Sequence, residues 1–178
     1  MKPILAAALI CLVAACAGPA PSAMSDVQRT AIADTVKQLA AKLFEGENRR
    51  SADEFISQAS DDPDFRYVSS GNLFPSKDSL SKAAHARVAS LKELTYTLKD
   101  AGVTVLSPDA ASFTGSYDET AVDSAGKSQS FHDGWTAVYT RRNGQWKIVH
   151  GHFSRAPVAS SAAPAPKPAT KVRGGKAR

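Results

Sequence analysis

The chain has 178 residues, 43% hydrophobic and 22% charged, which suits one domain of ordinary size and excludes two large catalytic domains. Its formal net charge is +5, and Lys167, Lys171, Arg173, Lys176 and Arg178 alone supply five positive charges, so everything before residue 167 is net neutral. A nucleic-acid-binding domain carries its excess positive charge on the folded face that meets phosphate, so no nucleic-acid partner is expected.

Residues 1–16 read as an export signal: Lys2 gives the positive start, and the apolar run from Ile4 to Ala15 is shorter than the roughly 20 residues of a membrane span. The run closes as Leu12-Val13-Ala14-Ala15-Cys16, which resembles the bacterial lipobox and implies that Cys16 is the lipidated first residue of an exported lipoprotein. An ordinary signal cut after Ala17 or Ala23 is the alternative. Cys11 lies in the removed segment, so Cys16 has no partner for an intramolecular disulfide. Ala17, not an acidic residue, follows the cysteine, and by resemblance to Gram-negative lipoproteins this implies the periplasmic face of the outer membrane.

Residues 17–24, with two prolines and no apolar period, read as a linker, and the domain is expected over 25–156. Ser25-Asp26-Val27-Gln28 fits a capping box, and Ile32, Val36, Leu39 and Leu43 follow at helical spacing until Gly46, which predicts the stop of a first helix. Ser51-Ala52-Asp53-Glu54 opens a short second helix with Phe55 and Ile56. Asp61-Asp62-Pro63-Asp64 breaks the chain, Phe65 to Val68 and Leu73 to Phe74 form a small hairpin, and Ser76 to Ser90 form a third helix with Leu80, Ala84, Val88 and Leu91 on one face. From residue 93 the period changes to two, and turns at Ser107-Pro108-Asp109, Asp123-Ser124-Ala125-Gly126 and Asn143-Gly144 divide four strands of an antiparallel meander. Three helices closing a strongly bent antiparallel sheet make a cone-shaped α+β roll. Residues 157–178, rich in Ala, Pro and basic groups, read as a disordered tail.

This element order, together with the run from Phe131-His132-Asp133-Gly134-Trp135 through Asn143-Gly144-Gln145-Trp146-Lys147-Ile148-Val149-His150-Gly151-His152-Phe153-Ser154, resembles the nuclear transport factor 2-like superfamily, also described as cystatin-like. Its nearest branches are the SnoaL-like domains and the association domain of calcium/calmodulin-dependent kinase II. The resemblance covers about residues 25–156 and implies a pocket in the cone, aromatic and uncharged except for Glu119 and Asp133. In the kinase association domain three arginines build an anion site there. Tyr117, Ala137 and Phe153 stand at the matching positions, so that set of basic groups is absent. The fold hosts isomerases, cyclases, hydrolases and plain binding or assembly modules, and does not choose among them.

The expected pocket lining is Tyr67, Phe113, Tyr117, Glu119, Phe131, Asp133, Trp135, Tyr139 and Phe153. Asp133 among aromatics is the candidate general acid or base, with Tyr117 orienting a substrate; the structural alternative is a carboxylate held by a hydroxyl. Register decides which side chains meet. A two-residue type I′ turn at Asn143-Gly144 sets Trp135 opposite His152 and brings Asp133 diagonal to it, whereas a three-residue bulged loop pairs Asp133 with Phe153. The bulged loop is preferred, because it turns Phe131, Trp135, Tyr139, Val149 and Phe153 inward. It also turns Val138, Trp146, Ile148, His150 and His152 outward as an apolar interface for a homodimer. His132, His150 and His152 lack a fourth ligand, and the Asp61–Asp64 cluster lacks the glycine and distal glutamate of a calcium loop, so no metal and no cofactor is expected. The leading expectation is a lipid-anchored domain that binds a small apolar molecule or associates with itself; the alternative is an isomerase, cyclase or hydrolase.

Overall fold

The computed structural model describes residues 23–157. The lipobox at Cys16 and the tail from residue 158 lie outside the described residues.

Helix α1 spans Asp26–Asn48 and opens with the expected capping box: the Ser25 side chain accepts from the Gln28 N–H while Gln28 accepts from the Ser25 N–H at 2.9 Å. The helix runs straight through Gly46, where a stop is predicted. This glycine serves close packing instead, since a Cβ there would sit 2.6 Å from the Glu54 Cβ of the next helix. The chain turns at Arg50, with φ of 57°, and enters α2, Ala52–Gln58, under a Ser51 cap. The Asn48 amide then fastens the end of α1 to the sheet, donating to the Tyr96 carbonyl at 3.2 Å and accepting from its N–H at 2.6 Å.

Strands β1, Arg66–Ser69, and β2, Asn72–Phe74, form the small hairpin. Helix α3, Lys77–Ser90, is capped by Ser76 and passes directly into β3, Leu91–Ser107, followed by β4, Ala110–Asp123, β5, Ser128–Arg142, and β6, Gln145–Pro157. The sheet order is β2-β1-β6-β5-β4-β3. The last four strands form the expected meander, but β1 lies parallel to β6, so the sheet is mixed and not antiparallel throughout. The period-two pattern cannot reveal this, because strand direction leaves alternation unchanged. Bulges in the β3–β4 and β5–β6 ladders add local twist and bend.

Alternation places Phe113, Gly115, Tyr117 and Glu119 of β4 beside Asp133, Trp135, Ala137 and Tyr139 of β5 on the inner, buried face. Val36, Ala40, Leu43 and Phe44 of α1 lie in the same core, each large apolar side chain contributing about 1.5–3 kcal/mol of burial. Phe44 stacks on Tyr117 at 3.9 Å between ring centroids and meets Trp135 edge-on at 5.2 Å.

The final hairpin combines features of both predicted registers. Asn143 and Gly144 have φ of 52° and 76°, and Arg142 pairs with Gln145, so the turn has two residues in the left-handed conformations of a type I′ turn. A bulge then shifts the pairing: Tyr139 faces Ile148, Val138 faces His150, and Val149 is the extra residue. Beyond the bulge Trp135 faces Phe153, and Asp133 faces Arg155 rather than Phe153. Two expectations change as a result. Ile148, placed outward from sequence, is buried in the core and its carbonyl accepts from the Ser60 N–H; Val149, placed inward, is only half-buried. Trp146 is half-buried against the core with Arg141 over its ring at 5.7 Å. The predicted apolar strip of Val138, Trp146 and Ile148 therefore does not form.

Candidate functional site

Between the helices and the inner sheet face lies a cavity of about 230 Å³. Its walls are largely apolar: Leu43 and Phe44 from α1, Phe55 from α2, Leu80 and Ala84 from α3, and Trp135 and Phe153 from the sheet. Tyr67 is set in the wall by Gly151 on the neighbouring strand, because any Cβ at 151 would overlap the Tyr67 ring. Ser70 and Asn72 of the β1–β2 hairpin, both exposed, stand at the solvent end.

The polar end is built by Glu47, Arg87 and Arg155, which line the cavity and continue into two fully buried acids, Glu119 and Asp133. Arg87 donates through Nη1 to Glu47 Oε2 at 3.4 Å and through Nη2 to Glu119 Oε2 at 2.9 Å. Arg155 pairs with Glu119 through Nη2 and reaches Asp133 Oδ1 through Nε at 3.4 Å, with its guanidinium 4.3 Å from the Phe131 ring centroid. Burial pushes the Glu47 carboxyl up to about 7, against the lowering effect of Arg87. Burial likewise raises Asp133; Arg155 opposes the shift and Glu119 adds to it. The free oxygens of this acid pair, Glu119 Oε1 and Asp133 Oδ2, are both buried and without a partner among the described residues. A proton on Asp133 turns one of these oxygens into a donor, whereas two ionised carboxylates offer acceptors only.

Residues 36–159 match the model of the SnoaL-like domain. The chain belongs to the SnoaL-like domain family. Solved structures similar to this SnoaL-like chain include a nuclear transport factor 2-like superfamily protein from Salmonella enterica (14% identity, TM-score 0.67, covering 75% of this chain and 97% of that one). A hexachlorocyclohexane dehydrochlorinase, LinA-type3, from Novosphingobium barchaimii is 18% identical with a TM-score of 0.65, covering 80% and 100%. A protein named as a scytalone dehydratase from Novosphingobium aromaticivorans is 10% identical with a TM-score of 0.66, covering 75% and 89%. At these identities the likeness shows the nuclear transport factor 2-like fold, and no curated protein matches the chain.

Of the residues expected to line the SnoaL-like pocket, Tyr67, Trp135 and Phe153 do so. Phe113, Tyr117 and Tyr139 are spent on core packing, Tyr139 also donating to Gln58 Oε1 at 3.2 Å. Phe131 is half-buried beneath Arg155. Asp133 and Glu119 stand in the buried cluster outside the cavity wall, which removes Asp133 as the group that meets a ligand. Tyr117 faces Asp133 across the ladder, yet Arg155 holds the acid, because the bulge at Val149 brings Arg155 opposite it. His152 is exposed opposite Thr136, so the Asp133–His152 dyad of the simple two-residue register does not form. His150 is also exposed, and among the described residues no three side chains converge as a metal site.

Three cavity residues escaped the sequence reading. Glu47 extends the series Val36, Ala40, Leu43, and Arg87 extends Leu80, Ala84, each at helical spacing. Arg155 shares the inward parity of Phe153.

Proposed function

We propose that this SnoaL-like domain binds a small, mostly apolar molecule in the cavity, with one polar group of the ligand directed at Glu47, Arg87 and Arg155. The cavity itself carries the reading: an apolar-walled space of about 230 Å³ with charged groups confined to one end both shelters a ligand and orients it. A thermal-shift panel of one- and two-ring compounds tests it, run on the wild type and on Ala84→Phe, which narrows the space from α3. Stabilisation of the wild type and none of the narrowed variant is expected. Equal shifts in both, or none in either, would refute the binding reading.

A second reading rests on Glu47, whose carboxyl is raised to about 7 and so suits proton transfer near neutral pH. Isomerase, cyclase or hydrolase chemistry of the kind expected from sequence would then pass through Glu47, and the elimination reactions in the names of two structural neighbours also need a proton acceptor. Turnover of a cavity ligand that disappears in Glu47→Gln, with binding retained, would establish it.

The proposal includes the chain's address. Cys16 serves as lipid anchor and holds the domain at the periplasmic face of the outer membrane, supported by the Leu12–Cys16 run. Self-association through the outer sheet face now rests on Val138, His150 and His152 alone.

A further inference from the structure

The cavity's polar end contains two guanidiniums and one carboxyl, and the balance of charge and donors there narrows what the apolar space accepts. Each guanidinium has five N–H donors in a fixed fork. Arg87 spends one donor on Glu47 and one on Glu119; Arg155 spends one on Asp133 and one on Glu119. Among the described residues Arg155 Nη1 donates to no protein acceptor, and both side chains line the cavity. The polar end is therefore rich in unspent donors.

Charge points the same way. Burial raises the Asp133 carboxyl, and with Asp133 protonated the two acids together carry a single negative charge against the two guanidiniums. Glu47 alone decides the remainder: ionised, it makes the cluster neutral; protonated, it leaves one positive charge facing an apolar space. The groups around Glu47 are Arg87 from α3, Tyr67 from β1, Tyr96 from β3 and Glu119 from β4, with Arg155 of β6 lining the same cavity, and the two tyrosine hydroxyls are held neutral by burial.

We infer that the cavity takes a small molecule with an apolar body and a single anionic end, a carboxylate in chemical class, which lies on Arg87 and Arg155 while Glu47 takes up a proton from solvent. This rests on the binding reading above and specifies its ligand. The ligand's charge replaces that of Glu47 against the guanidiniums, so the filled site is neutral, as a cavity walled by Phe44, Trp135 and Phe153 requires. Protonated Glu47 also becomes a donor to the entering carboxylate in place of a like charge.

Calorimetric titration with benzoate, its neutral isostere benzamide and the apolar toluene separates the two levels of the claim. At about pH 6 benzoate is expected to bind at least about tenfold more tightly than benzamide, and the advantage to shrink as pH rises through about 7. Repeating the titration at about pH 8, where Glu47 of the empty site is ionised, in buffers of different ionisation enthalpy should show net proton uptake with benzoate and none with toluene. Arg155→Gln should remove the benzoate advantage while toluene still binds, which also shows that the variant is folded. Glu47→Gln should bind benzoate with reduced proton uptake and a flatter pH profile. Benzamide or toluene binding as tightly as benzoate, or benzoate binding without proton uptake, would overturn the inference and leave the binding reading standing. Failure of all three probes would overturn both.

Discussion

Glu47→Gln should make the protein more stable, and only above a definable pH. The carboxyl is buried on α1 at the end of an apolar cavity, and burial lifts it from the ordinary 4.5 to about 7. A shift of that size corresponds to about 3 kcal/mol. The sign follows from proton counting. Between about pH 4.5 and 7 the folded chain holds a proton at Glu47 that the unfolded chain has released, so stability falls as pH rises through this window. Glutamine has nearly the same shape and never ionises. The variant should therefore match the wild type at about pH 4 and exceed it by about 2–3 kcal/mol at about pH 8, after allowance for the lost Arg87 contact at 3.4 Å. Urea unfolding followed by circular dichroism across this range reads the difference directly. A variant equal to or weaker than the wild type at about pH 8, or a gap that does not vary with pH, would refute the reasoning. A gain would also show that this carboxyl is kept at the expense of stability, as groups held for function often are.

Among the described residues Arg155 alone touches both buried acids, and Arg155→Ala should cost about 3 kcal/mol in urea unfolding; a loss below about 1 kcal/mol would show that Arg87 alone suffices. Gly151→Ala should displace the Tyr67 ring, lower stability by about 1–3 kcal/mol and weaken the thermal shift given by cavity ligands, and an unchanged melting temperature would contradict the packing described. Cys16→Ser should release the protein from membranes while its circular dichroism spectrum stays the same; unchanged membrane fractionation would refute lipid anchoring.

The elements were largely legible because each rests on local chemistry. Ser25 and Gln28 mark a helix start by hydrogen bonds three residues apart, and the alternation of Phe113, Gly115 and Tyr117 with polar neighbours marks a strand with one buried face. Gly46 misled because a glycine that ends a helix and one that admits a neighbouring helix look alike in one dimension. The site was less legible, since it depends on pairing across strands. Reading the turn at Asn143-Gly144 in isolation allowed two registers, and the bulge at Val149 created a third alignment in which Arg155, not Phe153 or His152, meets Asp133. An inward arginine on a strand looks unfavourable until two buried acids are seen to require it. Arg87 and Glu47 were overlooked for a related reason: both continue apolar helical series, where a charged residue is easily taken as the solvent edge of the stripe.

The chain's two tryptophans allow the most direct test of a ligand-binding cavity. Trp135 lines the cavity with its indole N–H buried and unpartnered among the described residues, while Trp146 lies half-buried elsewhere, beside Arg141. In a nitrogen–proton correlation spectrum each gives one indole signal. Titration with toluene and with benzoate should move the Trp135 signal in a saturable way and leave that of Trp146 in place. A Trp135 signal that neither compound moves, or two indole signals that move together, would contradict a cavity that binds small apolar molecules.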